Sequence, residues 1–308
     1  MQRVHIIAIG GAAMHNLAIS ISKKPTFAVT GSDFEIIEPS RSKLEKNGLL
    51  PEKTGWFPER IHKGLSAVIL GMHVTEDNPE LIRAKELKLK IYSFPEYLFQ
   101  QTRSKTRIVV GGSEGKTITT AIILFVLKKL KIETDYLINT QFADFENIVK
   151  LSYESRIAVF EGDEFITSPI DNRPKFHLYK PHIAILNGIS ESHSGIYLNT
   201  EKYVEQFRKF TDSMEVQGRL IYFEGDKNLT KIAQNLRRDI VSFPYNTPEH
   251  EIRDSVVYLK NKYGEVSLHL SGNQNLQNIE AARIACRQIG VTDEQFYSVI
   301  SEFKGELI

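Results

Sequence analysis

Short apolar runs and longer stretches with an apolar residue every three or four positions take turns along this chain. Length and period separate the two, because a buried strand is a brief continuous run and a packed helix shows one apolar face. The runs predict strands at Val4–Ile9, Phe27–Thr30, Ala67–Leu70, Leu89–Tyr92, Arg107–Val110, Ile157–Phe160, Ile183–Leu186, Leu220–Phe223 and Ile240–Phe243. The periodic stretches predict helices at Ala13–Ser22, Pro79–Lys88, Thr117–Lys131, Glu201–Phe210, Asn228–Gln234, Asn275–Ile289 and Asp293–Phe303. Residues 254–270, "DSVVYLKNKYGEVSLHL", predict a hairpin turning at Lys262–Gly264. Strand alternating with helix predicts an α/β architecture with largely parallel sheets. The polar "FQQTRSKTR" near 99–107 interrupts the alternation and divides the chain into blocks 1–105 and 106–308. Each block opens with a strand and a glycine-rich turn, which predicts a Rossmann-like domain followed by a P-loop NTPase-like α/β domain.

Composition changes this picture little. A chain of 308 residues suits about two domains, each with its own core. Its 39 basic and 38 acidic residues give a net charge of +1, which argues against nucleic-acid or membrane binding driven by bulk charge. One cysteine, Cys286, excludes an internal disulfide, and no Cys/His cluster has zinc spacing. A reducing cytoplasm is the expected location. The amino terminus, "MQRVHIIAIGG", reads as a buried first strand rather than an export signal, since His5 interrupts its apolar stretch and glycines follow.

The turn of the second block carries the strongest chemistry. In "IVVGGSEGKT", residues 108–117, an apolar strand runs into a glycine turn and then a helix. That context lets backbone N–H groups and a positive helix end cradle phosphate oxygens, while a lysine bridges the terminal phosphates and the next hydroxyl meets magnesium. The residues in those positions are Gly112, Ser113, Gly115, Lys116 and Thr117. A strict G-x-x-x-x-G-K-[ST] loop places glycine where this chain has Val110, so the form here is G-x-x-G-K-T. In the first block, "HIIAIGGAAMHNLA" has Ala8, Gly10 and Ala13 at the three positions of a dinucleotide-binding turn. Asp33, in "VTGSD", stands about 20 residues beyond it, where an acid reaches a ribose hydroxyl. Two readings stay open at this point: a pyrophosphate-bearing ligand at Gly10, Gly11, Ala12 and Met14, with NAD, FAD and a UDP-sugar all open, or a Gly-Gly turn that allows close strand–helix packing.

Taken in order, the glycine turn with "GSD", then "GSEGKT", "EGDE", a histidine after a strand, and "NLQN" resemble the Mur ligase family. "GWFPERI", "DNPEL", "YSFPEYL", "TSPIDNRPKFHLY" and "YVEQFRKF" are similar to its murein peptide ligase branch, and the resemblance runs from residue 3 to about 305. It implies an ATP-dependent ligase that converts the carboxylate of UDP-N-acetylmuramate to an acyl phosphate. The amine of the tripeptide L-Ala-γ-D-Glu-meso-diaminopimelate then attacks, in peptidoglycan recycling. By the same resemblance Lys116, Glu161 and His193 are catalytic, and Thr117, Glu161 and His193 hold Mg2+, with Asp163 a weaker candidate beside them. Asn275 and Asn278 lie around the adenine of ATP, and the turn with Asp33 takes the UDP-muramate. The chain departs from the family at Glu114, where His or Asn is usual, and at Ser192, where an aspartate is usual. It also reads "FKGELI" where a third domain would begin, which implies that this domain is absent. The alternatives are a UDP-N-acetylmuramate–L-alanine ligase and a non-catalytic UDP-sugar/ATP-binding protein.

Overall fold

The computed structural model describes residues 1–190 and 200–307, and the chain splits into two compact units. The first contains 1–103, 147–154 and 165–179; the second contains 104–146, 155–164 and the chain from 180 onward. In chain order, β1 (Gln2–Ile7), α1 (Ala12–Ser22), β2 (Phe27–Ser32), α2 (Ser40–Lys46), β3 (Ala67–Leu70), α3 (Pro79–Glu86), β4 (Ile91–Ser93) and α4 (Phe94–Gln101) come first. Then follow β5 (Thr106–Gly111), α5 (Lys116–Lys129), β6 (Thr134–Leu137), β7 (Val149–Lys150), β8 (Ile157–Glu161), β9 (Ile166–Ser168), β10 (Asp171–Pro174) and β11 (Ile183–Leu186). The rest comprises α6 (Thr200–Asp212), β12 (Arg219–Phe223), α7 (Lys227–Gln234), β13 (Val241–Tyr245), β14 (His250–Arg253), β15 (Val256–Asn261), β16 (Gly264–Leu268), α8 (Asn273–Gln288) and α9 (Asp293–Ile300).

In the first unit, β2, β1, β3 and β4 lie side by side in that order and run parallel. Their apolar runs are buried from both faces, Ile6, Ile7, Val68 and Ile69 completely, as a parallel sheet requires. The order reverses between β1 and β3, so a crevice opens at the carboxyl ends of those strands. Local signals set the helix starts. The Asn78 side chain accepts the N–H groups of Glu80 and Leu81 at 3.0 and 3.1 Å, with Pro79 in the first turn. Helix α4 begins with a capping box between Ser93 and Glu96. "SFPE" spells that start, although apolar periodicity passes over it. Two polar side chains of α1 are buried because they bind backbone: Asn16 Oδ1 accepts the N–H of Ile148 at 3.2 Å and Ser20 Oγ that of Leu151 at 2.6 Å. This stitches the segment 147–154 into the first unit.

In the second unit, β13, β12, β11, β5, β8 and β6 are parallel neighbours in that order. Ile108, Val109 and Val110 of β5 are fully buried at its centre. Strand β6, "TDYL", was not expected from its polar composition. Asp135 is nevertheless completely buried there, because Lys105 Nζ reaches it at 2.5 Å. Pro244 sits on β13, at an edge of this order, where a missing N–H is tolerated. The expected hairpin is two strands of a three-stranded antiparallel meander, β14–β15–β16. Asp254 and Ser255, at φ of 49° and 64°, form its other turn rather than beginning a strand. Among the described residues no helix is long and apolar enough to cross a membrane.

Candidate active site

Strand β5 delivers the chain to the loop 111–115, and α5 starts at Lys116. Gly112 and Gly115 have φ of +134° and +75°, conformations that L side chains rarely adopt. A Cβ on Gly115 would also lie 2.3 Å from Asn278 Oδ1 and 2.9 Å from Asn187 Nδ2. The loop thus passes hard against α8 and the end of β11, and only glycine permits it. Ser113 N–H binds the carbonyl of Gly188 at 2.8 Å, and Ser113 Oγ accepts the N–H of Ser190 at 2.8 Å. The first turn of α5 presents N–H groups that have no partner within the helix, together with its positive dipole end.

Register places the acid. Val110 pairs with Glu161 across β5 and β8, so Glu161 ends its strand directly beside the loop. Thr117 Oγ1 donates to Glu161 Oε1 at 2.6 Å, and the N–H of Asn139 reaches Oε2 at 2.8 Å. Burial raises the Glu161 pKa above the ordinary carboxylate value, against the opposing hydrogen bonds from Asn139 and Thr117 and the charge of Lys116; Asp163 raises it further. Two hard oxygen donors beside the glycine loop are a chemical fit for magnesium, which takes one or two protein ligands and completes its shell with other oxygens. Among the described residues no three His, Cys, Asp or Glu side chains gather as a metal group. His193 and Ser192 lie outside the described residues.

The asparagine pair divides. Asn278 is buried against the loop and accepts from Asn187 Nδ2 at 3.3 Å. Asn275 Nδ2 turns instead to the carbonyl of Ser271 at 2.9 Å. Helix α8 starts at Asn273 with Gly272 in the capping position, so Asn275 is inside the helix and does not cap it.

In the first unit the turn at 8–11 leads into α1, whose cap is Gly11. Gly10 N–H donates to Asp33 Oδ2 at 2.8 Å. Asp33 therefore fixes the turn with one oxygen, and burial raises its pKa against backbone N–H groups of Gly10, Phe34 and Glu35. Gly11 and Ala12 are exposed at the helix start, whereas the Met14 side chain is in the core. A cleft of about 300 Å³ lies alongside, lined by Ala8, Asp33, Trp56, His73, Thr75 and Asp77 among others. Beneath this region His5 Nε2 and Glu80 Oε2 are 3.3 Å apart with both side chains fully buried.

Two family models match the sequence. The Mur ligase middle domain covers residues 110–286, and the Mur ligase family catalytic domain covers 3–106. The chain belongs to the Mur ligase family. Curated relatives of two kinds resemble it. A UDP-N-acetylmuramate–L-alanine ligase of Carboxydothermus hydrogenoformans is 26% identical over 99% of this chain and 66% of its own length. The UDP-N-acetylmuramate–L-alanyl-γ-D-glutamyl-meso-2,6-diaminoheptandioate ligase of Escherichia coli is 28% identical over 98% of this chain and 67% of its own. The chain thus spans about two thirds of the length of these relatives. Among solved structures, the UDP-N-acetylmuramate:L-alanyl-γ-D-glutamyl-meso-diaminopimelate ligase from Neisseria meningitides shares the fold with a TM-score of 0.85 at 22% identity, covering 99% of this chain and 98% of that one. UDP-N-acetylmuramate-alanine ligase from Thermotoga maritima matches with a TM-score of 0.74 at 21% identity, over 99% of this chain and 69% of that one.

Within this Mur ligase chain the departure at Glu114 has a structural answer. Its side chain is exposed and accepts from Gln274 Nε2 at 2.8 Å, which ties it to the start of α8. Sequence reasoning missed Asn187, which bonds Thr119 Oγ1 at 2.9 Å as well as Asn278 and accepts from the Tyr245 hydroxyl at 3.2 Å. It also missed Glu164, which meets Lys116. Asn187 directly follows the β11 run, where ligands collect at a parallel sheet edge; that position was its one signal.

Proposed function

We propose that this chain acts in an ATP-dependent ligase reaction that joins a peptide amine to the carboxylate of UDP-N-acetylmuramate. The carrying observation is the convergence of Lys116, Thr117 and Glu161 at the start of α5, with Thr117 Oγ1 2.6 Å from Glu161. In this reading Lys116 and the first N–H groups of α5 hold the terminal phosphates of ATP, and Thr117 and Glu161 hold Mg2+. The cation, when bound, neutralises charge on the transferred phosphoryl group. Asn278 keeps α8 against the loop, where it can fix the nucleotide's position. The turn Gly10–Ala12 and the adjoining cleft receive the UDP-sugar, with α1 offering its positive end to the pyrophosphate.

The tripeptide is the incoming group we favour, because "DNPEL" and "TSPIDNRPKFHLY" are similar to the branch that uses it. Free L-alanine is the second reading, since relatives named for it match over the same residues. A buried single cysteine agrees with a cytoplasmic location.

Titration of the chain with an ATP analogue and Mg2+ tests the site. Lys116→Ala is expected to weaken binding about 100-fold; undiminished uptake overturns the reading. ADP release with UDP-N-acetylmuramate and either amine tests the substrate. Equal or better use of free L-alanine assigns the alanine ligase, and binding without turnover of either amine assigns a binding protein.

A further inference from the structure

Phosphate binding calls for cations and N–H donors, yet a buried acid sits on the loop's lysine. Lys116 Nζ lies 3.0 Å from Glu164 Oε2 and 3.3 Å from Oε1. Its other contacts are the carbonyls of Gly112 at 2.5 Å and Ser113 at 3.4 Å. The two carbonyls and Glu164 Oε1 accept the three donors of the ammonium group, and Oε2 stands within ion-pair distance of it. The two carbonyls are part of the loop itself. Glu164 comes from the segment after β8, and its side chain is only 3% exposed. It is held from behind: the Tyr203 hydroxyl, on fully buried Tyr203 of α6, is 3.3 Å from Glu164 Oε1 and 2.9 Å from Ser113 Oγ.

We propose that Glu164 is a built-in stand-in for phosphate, which engages Lys116 until the terminal phosphates of a nucleotide displace it. The inference rests on the nucleotide reading of this loop. A carboxylate carries one charge where a polyphosphate end carries more, so the ligand wins the lysine at equal distance. The acid nevertheless opposes it, because a charge-assisted hydrogen bond must be given up first. Glu164 is thereby a positioning residue: it acts on the ligand through Lys116 and sets how tightly the loop takes a polyphosphate. Tyr203 ties the same acid to Ser113, so the exchange is felt by the loop and α6 together.

Calorimetric titration of the 308-residue chain with a non-hydrolysable ATP analogue plus Mg2+, and separately with inorganic tripolyphosphate, tests this. E164Q keeps the shape and removes the charge, and it is expected to bind both probes about tenfold more tightly. In a K116A background the same substitution is expected to change affinity less than about twofold, since its effect passes through the lysine. Unchanged or weaker binding by E164Q, with binding weakened about 100-fold by K116A, overturns the stand-in and leaves the nucleotide reading intact. No effect of K116A overturns both. Equal tightening in the K116A background also overturns it, because the acid then repels phosphate directly. If E164Q loses its cooperative melt, Y203F replaces it: about twofold tightening is expected from weakening the support of Glu164, and unchanged affinity overturns the proposal.

Discussion

Each unit buries a glutamate near the carboxyl end of a parallel sheet, and the two are treated in opposite ways. Glu80, in the first unit, accepts from the Ser32 hydroxyl, from the N–H of Phe57 at 2.7 Å and from His5 at 3.3 Å. Burial alone would raise its pKa, but these hydrogen bonds outweigh it and hold Glu80 below the ordinary value. Glu161, in the second unit, has fewer donors and a neighbouring acid, and burial holds its pKa above the ordinary value. One carboxylate is satisfied by its own fold. The other keeps a donor on each oxygen, from Thr117 and Asn139, yet burial outweighs them and the charge of Lys116. A buried acid whose pKa is raised suits the ligand-holding role proposed for Glu161, whereas one whose pKa is lowered by its own neighbours suits the scaffold.

The strongest way to break this contrast is to remove each acid. Glu80→Ala strands His5, Ser32 and the Phe57 N–H in the interior and is expected to cost about 3–5 kcal/mol of stability. Glu161→Gln, in protein without metal, is expected to be neutral or stabilising near pH 7, while binding of the ATP analogue with Mg2+ is lost. Denaturant melts of both variants check this, and equal destabilisation by the two would erase the distinction.

The two glycine turns give the next effect. Gly115→Ala meets a left-handed backbone and a Cβ position 2.3 Å from Asn278 Oδ1. About 2–4 kcal/mol of lost stability is expected, with loss of nucleotide binding. Gly11 has φ of −58°, and its added Cβ would meet nothing closer than Met14 Cγ at 3.5 Å, so Gly11→Ala is expected to cost under about 1 kcal/mol. Similar losses would show that the first turn is as tightly built as the second.

Helix caps separate the units more gently. Asn78→Ala removes the cap of α3 at a cost of about 1 kcal/mol. Asp226→Ala removes the cap of α7 and also frees the N–H of Ile189, held at 2.6 Å. The second substitution is expected to cost somewhat more and to weaken nucleotide binding, because Ile189 follows the carbonyl of Gly188 that fixes Ser113.

The α/β class, the parallel strands of both units and the loop at Gly112–Thr117 were legible because each rests on neighbouring residues: an apolar run, a glycine, a helix start. What was not legible depends on residues distant in sequence. The polar strand at Thr134–Leu137 becomes buriable only when Lys105 neutralises Asp135. The segments 147–154 and 165–179 belong to the first unit although they follow the loop of the second, and no local pattern announces such a return. In the candidate site, the place of Lys116 and Thr117 at the start of a helix was readable from spacing, and Glu161 was pointed to by the family resemblance. Glu164 and Asn187 were not, because their roles come from Lys116, Thr119 and Asn278, which only the folded sheet brings to them. Asn275 shows the converse: spacing placed it beside Asn278, and the helix turned it to Ser271.

The smallest expected effect is on pH, and the two glutamates should again differ in sign. Glu161 has its pKa raised in the folded protein, so the native state holds its proton more tightly than the unfolded chain does. Its contribution is therefore full below the unfolded carboxylate value and is lost as pH rises through the folded one. Glu80, with its pKa lowered, contributes above the unfolded value and loses that contribution as pH falls through the folded one. Bound Mg2+ supplies the charge that Glu161 lacks, so it should restore stability where Glu161 is ionised and not where it is protonated. At a few times its dissociation constant the cation is expected to add about 1 kcal/mol, or about 2–4 °C in Tm, near pH 7.5 and nothing near pH 4. Glu161→Gln should remove this increment while leaving the acid-side loss from Glu80 in place. An increment of equal size at both pH values, or one that survives Glu161→Gln, would mean that the cation binds elsewhere and that Glu161 is not its ligand.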